Sequence, residues 1–124
     1  MRLFVVGLSL IAGLIFIAMP VLAASPNGTW LRSETGGQFR AFNCGGGLGL
    51  KVTKSKTKSF VGQTIMCGAK QVAGKNQWRG SVKNLEDGNT YSGIVTLINA
   101  KTIQLEGCVL GGIICKSQTW SRVK

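Results

Sequence analysis

Glu106-Gly107-Cys108-Val109-Leu110-Gly111-Gly112-Ile113-Ile114-Cys115-Lys116-Ser117-Gln118-Thr119-Trp120-Ser121-Arg122 is the stretch that decides the fold. A Gly-Gly pair between aliphatic runs signals a hairpin, because glycine reaches the positive φ of tight turns without steric penalty. A turn centred between Gly111 and Gly112, with a short or a slightly longer loop, sets Val109 against Ile114 and Cys108 against Cys115. The two cysteines then face each other at roughly 4.5–5.5 Å between Cα atoms, within disulfide reach. Alternation puts Thr102, Gln104, Glu106, Cys108, Cys115, Ser117, Thr119 and Ser121 on one face. Ile103, Leu105, Gly107, Val109, Ile114, Gln118, Trp120 and Arg122 fall on the other, which reads as the inner face.

Working upstream, Gln77 to Val82 and Tyr91 to Ile98 alternate in the same way across the loop Asn84-Leu85-Glu86-Asp87-Gly88-Asn89, in which Asp-Gly is a strong hairpin signal. Centring that turn between Asp87 and Gly88 sets Trp78 against Leu97, Gly80 against Val95 and Val82 against Gly93. A loop at Asn99-Ala100-Lys101 then sets Leu97 against Ile103, Val95 against Leu105 and Tyr91 against Val109. This register keeps one apolar face continuous from Gln77 to Arg122, which a one-residue slip would destroy. Gly80, Gly93 and Gly107 lie on that face, where they let a small sheet curl tightly.

Earlier segments follow the same pattern. Asn27 to Arg32 opens a first strand that Gly36-Gly37 ends, and Gln38 to Cys44 alternates before the turn Gly45-Gly46-Gly47. Leu48 to Val52 and Val61 to Met66 read as further strands, the latter ending at Cys67-Gly68 and followed by a turn at Gly74-Lys75-Asn76. No stretch of this region has a helical apolar period. About eight strands at regular spacing predict an all-β fold, a small antiparallel up-and-down barrel, with a sandwich as the alternative. In so short a chain Trp30, Trp78 and Trp120 are expected to fill the lumen and leave only a small cavity. The apolar tip Val109 to Ile114 is expected to close one barrel end rather than to stand out as a contact loop.

Residues 1–23 carry Arg2, an apolar run from Leu3 to Leu22 and the small-residue site Val21-Leu22-Ala23, the pattern of a cleaved signal peptide with a signal helix. The barrel domain then spans 24–124. All four cysteines lie in it, and export implies an oxidising compartment, the periplasm or cell exterior. With Cys108 given to Cys115, the second bridge falls to Cys44 and Cys67. There is no histidine and no Cys-x-x-Cys, so a zinc site is not expected.

The same lack of histidine removes the Ser-His and Cys-His nucleophile systems and the commonest general base. Of the four acids, Glu86 and Asp87 are adjacent in a turn and Glu106 is on the outer face, so no carboxylate pair spans a cleft. The sequence therefore predicts a protein that is not an enzyme and carries no cofactor or metal. Fifteen basic residues against four acids give +11, a field that favours anionic partners. Lys51, Lys54, Lys56 and Lys58 are the candidate anion-binding rim, or else a solvated edge. Trp78, Tyr91, Val95 and Leu105 are the candidate ligand-lining residues. Closing the meander brings Trp30 beside Arg122, so that the guanidinium can lie across the indole. That pair is like the Gly-x-Trp and last-strand arginine of lipocalin-type barrels.

Gly28-Thr29-Trp30, Cys44-Gly45 with Leu48, Asp87-Gly88-Asn89-Thr90-Tyr91, Gly107-Cys108 and Ser117-Gln118-Thr119-Trp120-Ser121-Arg122 together resemble the domain-of-unknown-function 2147 family over nearly the whole exported part. Its members are small exported bacterial proteins. The resemblance implies a lipocalin-like barrel in the envelope and supplies no catalytic residues. The segment from Lys54 to Ser59 departs from the family pattern, being shorter than the usual Asp/Asn-Pro-containing one. The expected partner is a small apolar or amphipathic ligand in the barrel. The alternatives are an anionic envelope polymer or lipid head group on the basic surface, and a protein partner. No specific nucleic acid is expected, and membrane contact only through an uncleaved leading segment.

Overall fold

Period-two alternation with glycine-rich breaks produces eight antiparallel strands, in a computed structural model that describes residues 25–124. They are β1 (Gly28–Arg32), β2 (Gly37–Cys44), β3 (Gly47–Lys54), β4 (Thr64–Gln71), β5 (Gln77–Lys83), β6 (Thr90–Asn99), β7 (Thr102–Val109) and β8 (Ile114–Arg122). Each pairs with its neighbour in sequence and β8 returns to β1, so the sheet is a closed barrel and not a sandwich. The expected signal peptide and helix over 1–23 lie outside the described residues.

The two barrel ends differ. The turns after β2, β4 and β6 lie at one end together with Ser25 and the C-terminal Lys124; the loops after β1, β3, β5 and β7 form the other. At the first end the sheet closes through Thr29 N to Lys124 O and Val123 N to Thr29 O, both 2.7 Å. The core rises from here, with Trp30, Phe39, Leu50, Val95 and Ile103 buried completely or nearly so. At the second end β4 and β5 are no longer paired, since their ladder holds only Lys70↔Arg79 and Gln71↔Trp78 near the closed end.

The β7–β8 hairpin has the expected register, with Val109↔Ile114 and Cys108↔Cys115, and a disulfide of 2.03 Å joins the cysteines. Leu97↔Ile103 and Val95↔Leu105 also pair as read, with one irregularity between Leu97 and Asn99 that shortens the loop to Ala100 and Lys101. The β5–β6 register differs. Trp78 pairs with Val95, Gly80 with Gly93 and Val82 with Tyr91, two residues from the expected alignment. The loop is the expected stretch 84–89, but the hairpin is centred between Glu86 and Asp87 and not between Asp87 and Gly88. Gly88 adopts φ 75° near the end of a six-residue loop, 84–89, and its N–H donates to Asn84 O at 2.8 Å.

β4 begins at Thr64, not at Val61, because residues 58–63 form a 3₁₀ turn (Lys58–Phe60) and a tight loop. It also runs through Cys67-Gly68 instead of ending there; the pair together oppose Gly49, and Gly68 takes φ 77°. The Cys44–Cys67 bridge thus joins strands that are not neighbours, β2 and β4, at 5.2 Å between Cα atoms across β3. Gly49 makes this crossing feasible, because a Cβ there would stand 2.5 Å from the Cys44 Cβ.

Candidate functional site

Arg122 and Trp30 build the floor. They are directly opposite in the β1–β8 ladder, and the guanidinium carbon lies 4.4 Å from the indole centroid. Arg122 donates to Ala100 O (2.7 Å), Asn27 O (2.7 Å) and Ser25 O (2.6 Å), tying the entry segment and the β6–β7 turn to the last strand. Trp30 Nε1 donates to Pro26 O at 2.8 Å. Gly28 is required here: its φ is 137°, and a Cβ would meet Lys124 O at 2.6 Å and the Arg122 guanidinium at 2.7 Å.

Above this floor the lumen is not filled. A cavity of about 790 Å³ opens at the end away from Arg122. The small cavity expected from three lumenal tryptophans is therefore corrected, and the positions of those rings explain why. Trp30 is sunk in the floor, and Trp78 faces a shallower depression of about 410 Å³ at the closed end, with Pro26 and Leu48. Only Trp120 stands on the cavity wall, packed on Phe39 at 4.5 Å between ring centroids. Gly107 faces the same space and puts no side chain into it.

Among the four candidate lining residues, Tyr91 and Leu105 are on the cavity wall. Trp78 and Val95 are not; Val95 is packed in the core with no exposure. Phe39, Val52, Phe60, Ile65 and Val82 complete an apolar interior that sequence reading did not assemble. Of these, Phe39 and Val82 had readable inward parity, whereas Phe60 reaches the mouth only through the 3₁₀ turn.

The lysine group is divided. Lys54 and Lys56 line the mouth, whereas Lys51 is exposed opposite Arg40 and Lys58 belongs to the 3₁₀ turn, and neither lines the cavity. The basic residues on the wall are instead Arg32, Lys54, Lys56, Lys83 and Lys116, against the acids Glu86 and Asp87. Asp87 accepts from the Tyr91 hydroxyl and, at 2.8 Å, from Asn89 N. The phenol donation, then the backbone N–H, holds its carboxyl below the ordinary carboxylate range, and the same bond pushes the Tyr91 phenol up.

The tip does not close the barrel. Leu110 and Ile113 are 68% and 83% exposed, because the hairpin runs past the rim and only Val109 and Ile114 reach the cavity edge. Among the described residues the one grouping dense enough for a metal is Glu106, Cys108 and Cys115. Its sulfurs are bonded to each other, which leaves a single carboxylate and no ligand set.

A family model described as an uncharacterized protein conserved in bacteria, DUF2147, matches residues 28–122. The chain belongs to the DUF2147 family. Among solved structures this DUF2147 protein is similar to protein HP1028 from the human pathogen Helicobacter pylori, which is described as belonging to the lipocalin family. The two share 13% identity with a TM-score of 0.62, over 82% of this chain and 85% of that one. The likeness is one of fold: a lipocalin-like barrel. No curated protein sequence matches the DUF2147 chain.

Proposed function

We propose that this DUF2147 protein is an exported, non-enzymatic binding protein whose barrel mouth takes a small apolar or amphipathic ligand. The observation that carries the reading is the open cavity of about 790 Å³ above the Trp30–Arg122 floor. Its volume is in the range of small-molecule sites, roughly 300–1,000 Å³, and its lining combines apolar side chains such as Phe39, Ile65 and Leu105 with many polar and charged ones, as an amphipathic ligand needs. The lipocalin-like fold supports the same reading. Two disulfides with no free cysteine among the described residues support an oxidising, exported location.

A neutral apolar probe, N-phenylnaphthylamine, tests it. Trp120 on the cavity wall is the expected energy donor, so saturable probe emission on excitation of tryptophan supports the reading. Absence of saturable binding would reject it.

A further inference from the structure

The cavity wall carries charge on one side in particular. Strand alternation turns Arg32 of β1, Lys54 of β3 and Lys116 of β8 to the cavity, alongside Gln118. β8, β1, β2 and β3 are consecutive around the barrel, so these cations share one half of the mouth. The acids of the wall, Glu86 and Asp87, are on the β5–β6 loop, and Asp87 is held by Tyr91. Among the described residues the ion pair is Arg32 with the exposed Glu34, at 3.5 Å, which leaves Lys54 and Lys116 without an acidic partner.

A second observation falls in the same place. The β1–β8 ladder ends at Leu31↔Ser121, and the next residues of the two strands are Arg32 and Trp120, both on the cavity wall. Arg32 Nε and Trp120 Nε1 are buried and neither has an acceptor. Buried donors are rarely left unmatched, because each forfeits its hydrogen bonds to water. Two such donors flanking one seam, with unpaired ammonium groups on the same half of the cavity wall, suit an anionic oxygen, which strengthens hydrogen bonds from charged donors. Phe39, Ile65 and Leu105 supply apolar surface next to them.

We propose that the cavity takes a single-chain amphiphile with an anionic head, a carboxylate or phosphate held among Arg32, Trp120, Lys54 and Lys116. This rests on reading the cavity as a ligand site. The chain lies on Phe39, Ile65 and Leu105, and the cationic half of the mouth rejects heads of like charge.

Titration of the purified protein with dodecanoate, dodecyl phosphate, dodecanol and dodecylamine, below their micelle concentrations, separates the two levels. Dodecanoate, dodecyl phosphate or both are expected to bind at least about tenfold more tightly than dodecanol, with dodecylamine weakest. Which anion binds better distinguishes a carboxylate from a phosphate source. Each added methylene is expected to tighten binding about fourfold. In a Lys54→Gln, Lys116→Gln double variant the ratio of anion to dodecanol affinity is expected to fall, because the alcohol carries no charge for the lysines to hold. Equal binding of dodecanol and both anions would overturn the anionic head and leave the apolar site standing, and an anion advantage undiminished in the double variant would overturn the placement of the head beside Lys54 and Lys116. No binding by any of the four would reject the ligand-site reading itself.

Discussion

The Arg122 guanidinium lies across the Trp30 ring at 4.4 Å, at the one seam where the last strand meets the first. Stacking alone is worth about 0.5–2 kcal/mol. The larger effect is the planar fork, which satisfies three backbone carbonyls at once, on Ser25, Asn27 and Ala100. A lysine ammonium can neither stack flat nor reach three divergent acceptors. Arg122→Ala is therefore expected to lower unfolding free energy by about 2–3 kcal/mol in urea, and Arg122→Lys to recover less than half of that. A variant within about 0.5 kcal/mol of the parent would mean that the seam closes without this residue.

Gly49 is expected to control the longer disulfide. With a Cβ 2.5 Å from the Cys44 Cβ and 3.0 Å from the Phe42 ring, Gly49→Val pushes β2 away from β4. Mass spectrometry after alkylation should then find Cys44 and Cys67 as free thiols, with Cys108–Cys115 intact. In the chain-entropy picture the longer bridge contributes about 3 kcal/mol and the hairpin bridge about 2 kcal/mol. Reversing that order by Cys→Ser pairs would show that the hairpin bridge matters for another reason.

How much was legible differs along the chain. β7–β8 could be placed because a Gly-Gly tip and two cysteines at mirror positions admit one pairing. β5–β6 could not, because a shift of two residues leaves every side chain on its own face and so escapes any argument from alternation. That shift had a consequence: in the true register Gly80, Gly93 and Gly107 stand side by side across three strands. Ala69 and Met66 of β4 pack against Gly80 and Gly93, whereas Gly107 is left facing open space. The cavity was therefore hidden by an absence of side chains that only the correct pairing aligns. The Trp30–Arg122 floor was legible from the inward parity of Arg122 together with closure of the meander, whereas the inward cations Arg32 and Lys116 carry no signal of their own in the sequence.

Tyr91 is the sole tyrosine of the chain, so the Asp87–Tyr91 bond can be followed by phenolate absorbance. Its phenol is expected to titrate above the ordinary tyrosine value, and to fall back toward it in Asp87→Asn. Asp87 is lowered, so its contribution is present above the carboxyl pKa of the unfolded chain and is lost as pH falls through the folded value. Tyr91 is raised, so its contribution is present below the unfolded phenol pKa and is lost as pH rises through the folded one. Protection of the loop 84–89 amides, measured relative to their intrinsic exchange rate at each pH, should accordingly be greatest between the two limits. An ordinary phenol titration in the parent protein would show that the bond does not persist in solution.

Filling the cavity from within tests its role most directly. A Cβ on Gly107 would meet only the Tyr91 Cβ at 3.7 Å and a Val82 methyl at 3.9 Å, ordinary contacts that need no backbone change. Gly107→Leu is thus expected to keep the circular dichroism and urea midpoint of the parent while its side chain occupies the lumen. Affinity for N-phenylnaphthylamine should then fall at least about tenfold, as buried ring atoms of the probe lose their space. Undiminished probe binding by a folded Gly107→Leu protein would contradict the assignment of this cavity as the ligand site.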